Sequence, residues 1–212
     1  MHRIHRAARR TARWLLAVWL VAGGLVTIDA RAAAADVVPG AAPATSYPAP
    51  VADFGHFDSF PEMVGSYRRM EVTAYAPDMA DFSIFYGSRT VGLDSTVTMF
   101  FYPHGHATLE EQLRDEELQV LNAHPGARVL ERRRITLTNG QADREATLVT
   151  FAFKMARRGE REVPVASQLL LVFRDKGIFM VRSTGPEAQG PAAEAAMLDL
   201  VQSVDWESVP GR

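Results

Sequence analysis

The densest run of side chains able to do chemistry is Tyr102-Pro103-His104-Gly105-His106, with Glu110 and Glu111 just beyond it. Two imidazoles two residues apart beside carboxylates match the donor types of a Zn²⁺ site. A dedicated metal site draws further ligands from other elements, yet outside the first 35 residues only His56 and His124 remain. The plainer reading is therefore an exposed turn that merely tolerates its histidines, with Tyr102, His104 and His106 as candidate binding residues and no metal or other cofactor expected.

Other reaction types fare worse. A serine hydrolase needs an activated hydroxyl on a strained elbow, and neither Gly-x-Ser-x-Gly nor a companion pattern around Ser66, Ser88 or Ser95 is present. Cysteine chemistry is excluded outright, because the chain has no Cys. Glu110/Glu111 and Asp115/Glu116/Glu117 are paired carboxylates, but their place on a capped helix favours a solvated acidic face over glycoside hydrolysis. The stretch Gly185-Pro-Glu-Ala-Gln-Gly190 precedes a helix, yet it lacks the Lys and the spacing of a phosphate-cradling loop.

One basic run stands out, Arg132-Arg133-Arg134. On a strand, alternate side chains point to opposite faces, so the three cannot form one patch. Charge on an edge strand discourages sheet-to-sheet pairing, and edge protection is the plainest role for the run. Its functional alternative is an anionic partner, or a membrane surface, touching Arg132 and Arg134.

The chain's first 35 residues bear on where this chemistry would operate. Arg3, Arg6, Arg9, Arg10 and Arg13 precede the apolar run 14–28, and Ala33-Ala34-Ala35 follows. That order is a secretory signal's, with cleavage expected after Ala35. The run has 15 residues, short of the roughly 20 needed to span a bilayer. Cleavage would leave 17 basic and 24 acidic residues, a net charge of −7, which argues against a nucleic-acid partner. Residues 36–53 carry Pro39, Pro43, Pro48 and Pro50 among small residues and read as a tether. One domain is expected over 54–209, exported to the periplasm or beyond, with no stable membrane span after cleavage.

The elements that must position these groups follow from periodicity. Strands are expected over 66–75, 82–86 and 94–102, then a helix opened by the capping box Thr108-Leu-Glu-Glu111 with an incomplete apolar stripe of Leu109, Leu113, Val120 and Leu121. Strands 128–138 and 143–154 join through Asn139-Gly140, and strands 165–173 and 178–184 join around Asp175-Lys176-Gly177. A last helix from Pro191 carries Ala193, Ala196, Met197, Leu200, Val201 and Val204 at helical spacing, with Trp206 sealing its end. Because Leu169-Leu170-Leu171-Val172-Phe173 is apolar on both strand faces, both faces of the sheet are expected to be covered. The predicted class is α+β, a mostly antiparallel sheet with helices on both faces. A curved sheet wrapped around one helix, suited to a lipid or small ligand, is the alternative.

Phe60-Pro61, Gly65-Ser66-Tyr67, the segment 82–86, the strand 96–103 and the capped helix after it resemble exported bacterial proteins of the Mog1/PsbP-like fold over about residues 57–206. The resemblance implies an α/β/α sandwich and an accessory role, since its members act as binding or assembly factors, one class with a small GTPase and another with a photosystem. Neither partner is implied for this chain. The expected function is a non-catalytic exported binding or accessory protein of the cell envelope, its partner another envelope protein or a small ligand. A carrier of a hydrophobic or lipid ligand, or an unrecognised hydrolase, is the alternative.

Overall fold

Period-two alternation and tight turns build one dominant element. A computed structural model describes residues 60–75, 81–88, 93–103, 108–139, 142–156, 162–175 and 177–206. In chain order these form β1 (Met63–Val64), β2 (Tyr67–Ala74), β3 (Phe82–Ser88), β4 (Thr96–Tyr102), α1 (Leu109–Ala123), β5 (Arg128–Asn139), β6 (Ala142–Ala156), β7 (Glu162–Arg174), β8 (Gly177–Pro186), a 3-10 turn (Glu187–Gln189) and α2 (Gly190–Ser203). The eight strands make a single sheet in the order β1-β2-β3-β4-β8-β7-β6-β5. Two antiparallel meanders meet where β4 pairs with β8, Phe101 opposite Phe179. Segments 1–35 and 36–53, and the domain limits at 54 and 209, lie outside the described residues.

The expected sandwich, a Mog1/PsbP-like α/β/α arrangement with helices covering both faces of the sheet, is corrected by this architecture. One eight-stranded antiparallel sheet dominates, and the described helices beyond the 3-10 turn are only two, of 15 and 14 residues. Eight strands span more than ~30 Å across, whereas a helix is only ~10 Å wide, so one helix cannot roof a face. The expectation extrapolated from one strand to the whole sheet. Leu169, Leu170, Leu171 and Val172 are indeed fully buried, but that double burial is central. Towards the edge, β5 exposes Arg128, Leu130, Glu131, Arg132, Arg134, Thr136 and Thr138.

The strand positions follow their turn chemistry. Asn139 pairs with Ala142, so the β5–β6 connection is one residue later than Asn139-Gly140 suggests, and Gly140-Gln141 lies outside the described residues. Gly177, at the start of β8, has φ +127°, and a Cβ there would lie 2.6 Å from the Tyr102 carbonyl oxygen. Only glycine satisfies both the dihedral and the approach of β4.

The apolar core gathers where α2 packs. Met197, Leu200 and Val201 turn inward from α2, into a cluster with Ile84, Val97, Met99, Leu170, Val181 and Leu148. Aromatic rings run through it, Phe82 stacked on Phe101, Phe101 on Phe179 and Phe179 on Trp206, with centroids 4.7, 4.9 and 5.1 Å apart. Trp206 seals the helix end as expected: its ring is fully buried and its carbonyl accepts from the Arg174 guanidinium.

Candidate functional site

Helix α1 packs across the sheet from a start set by its own sequence. The Thr108 hydroxyl accepts from the Glu111 amide, and the Glu111 carboxylate accepts from the Thr108 amide, closing the predicted capping box. Beyond the first turn the helix departs from expectation. Glu110, Glu111 and Asp115 are solvated, but Glu116 and Glu117 are 7% and 8% exposed. They fill the gap in the apolar stripe between Leu113 and Val120, so the acidic pair is part of the helix's inner face.

Each of the two carboxylates has a defined partner. Tyr102 donates its hydroxyl to Glu116 Oε1 at 3.0 Å, and Gln112 Nε2 donates to the same oxygen at 2.8 Å. Burial, then the nearby carboxylate, pushes the Tyr102 phenol well above its ordinary range. Burial likewise raises the Glu116 carboxyl, a change that the hydrogen bonds from Tyr102 and Gln112 and the positive field of Arg182 only partly reverse. Arg182 stands on β8 opposite Leu169, with Nη2 3.3 Å from the Ser167 hydroxyl. Its Nε is buried without a hydrogen-bond partner among the described residues. Desolvation takes its pKa down to about 10, so it is still a cation at neutral pH. His124, stacked on Phe153 at 4.0 Å, is held below its usual value by burial and then by Arg182. Tyr102 and Gln112 both converge on Glu116, with Arg182 contributing charge rather than a bond to it, and the arrangement seats α1 on the sheet.

Glu117 leads outward to the sheet edge. Arg132 Nε and Nη2 donate to its two oxygens at 2.7 and 2.6 Å, a bidentate pair. Arg133 points the other way and pairs with Glu194 on α2. The alternation predicted for the run is thus observed, and the strand that carries it lies at the edge of the sheet, the position edge protection requires.

Arg134 returns to the side of Arg132, is exposed, and makes no ion pair among the described residues. It borders an open groove of about 350 Å³ where Leu109, Glu110 and Leu113 of α1 face Arg132, Arg134 and Glu145. The groove has a charged rim and an apolar wall, and it is not an enclosed apolar cavity.

Of the residues expected to bind, the structure therefore brings Arg132 and Arg134 to one groove. It turns the Tyr102 hydroxyl inward to Glu116, and His104 and His106 lie outside the described residues. Among the described residues no three His, Asp or Glu side chains converge as a metal site. No described helix is long and apolar enough to cross a membrane. Glu116, Glu117, Gln112 and Arg182 were missed by the motif reading, although a break in the helical stripe at 116–117 signalled the first two. No family model matches this chain, and no curated protein does.

Proposed function

We propose that the chain is a non-catalytic exported binding or accessory protein of the cell envelope, and that it meets its partner along the groove between α1 and the β5–β6 edge. The observation that carries this reading is Arg134, an exposed cation without an ion pair among the described residues, on the rim of an open groove. Its two neighbours in the run are each tied to a glutamate, Arg132 to Glu117 and Arg133 to Glu194, so they hold the rim in shape. The Tyr102 hydroxyl and the Gln112 amide are both spent on Glu116 beneath α1, which favours binding over turnover. The basic, apolar and small-residue order of residues 1–35 supports export.

Affinity capture from envelope extract, with the cleaved chain and its Arg134→Glu variant as baits, tests this reading. A partner retained by the first and lost by the second is the expected result. Equal recovery on both baits would contradict it, and a co-purifying lipid would replace it with the carrier function. Intact-mass measurement of the envelope form is expected to place the first residue at Asp36.

A further inference from the structure

We draw no further inference here: the strongest candidate, the side-chain cluster around Arg182 beneath α1, whose buried Nε has no hydrogen-bond partner among the described residues, carries nothing beyond the seating of α1, because Glu116 in the same cluster already answers the Arg182 charge.

Discussion

Beneath α2 the sheet meets stacked rings and aliphatic side chains, whereas beneath α1 it meets a carboxyl, a phenol, an amide and a guanidinium. The two contacts share one sheet, and alternation along β5 sends Arg132 to one and Arg133 to the other. The difference separates two tasks. Apolar burial gains free energy with every ångström squared removed from water and needs no particular geometry. Buried polar groups gain little net stability, yet each fixes an orientation, because leaving it unpaired is costly. The α2 side therefore holds the molecule together, while the α1 side holds a helix at a defined distance from an open sheet edge.

The largest way to break this contrast is at Trp206. Trp206→Ala is expected to cost about 3–5 kcal/mol in urea unfolding, since a fully buried ring that stacks on Phe179 is removed. Gly177→Ala comes next, at about 2–3 kcal/mol, because it forces a positive φ on alanine and drives its Cβ against the Tyr102 carbonyl. A loss well under 1 kcal/mol for either would mean that the ring stack, or the hairpin geometry, is dispensable.

The α1 side should respond to pH instead. Burial raises the Glu116 carboxyl above its ordinary 4.5, so the native state favours its protonated form. Its contribution to stability is whole below pH 4.5 and is lost as pH rises through the raised folded value. His124 works in the opposite sense: its folded pKa is depressed below 6.5, so its contribution is whole above that value and is lost as pH falls. Glu116→Gln should remove the first component, so that the urea midpoint at pH 8 rises relative to the midpoint at pH 4.5 when compared with the unsubstituted chain. An unchanged difference would show that Glu116 does not titrate across that interval.

The smallest stability effects belong to the edge. Arg132→Met is expected to cost only about 0.5–1 kcal/mol despite its bidentate geometry, because the arginine side chain is 54% exposed and water screens the pair. Arg134→Ala should change stability by less than about 0.5 kcal/mol while weakening capture of the envelope partner. If Arg134→Ala unfolded the chain, its role would be structural and the groove reading would fail.

How much of this was legible depends on whether the governing signal was local. The capping box at Thr108 and Glu111, the hairpin glycine at 177 and the α2 stripe from Ala193 to Val204 are short-range patterns, and each element formed where they placed it. The alternation of the Arg132–Arg134 run was equally local. Coverage of the sheet was not. Leu169-Leu170-Leu171-Val172 reports the surroundings of β7 alone, while the exposure of β5 depends on strand order, which no periodicity encodes. Glu116 shows a further limit: its charge argues for solvent, and besides Gln112 on its own helix its burial is made tolerable by Tyr102, 14 residues away in sequence, and by Arg182 on β8. The two short registers of β1 were below what alternation can reveal.

Native-state hydrogen exchange on the cleaved chain tests the division of labour most directly. Amides of β7 and β8 should exchange only through global unfolding, while the outward amides of residues 132–139 should exchange at far lower opening free energy. Protection along β5 equal to that of β7 would contradict the account, because the edge would then be held as tightly as the centre of the sheet.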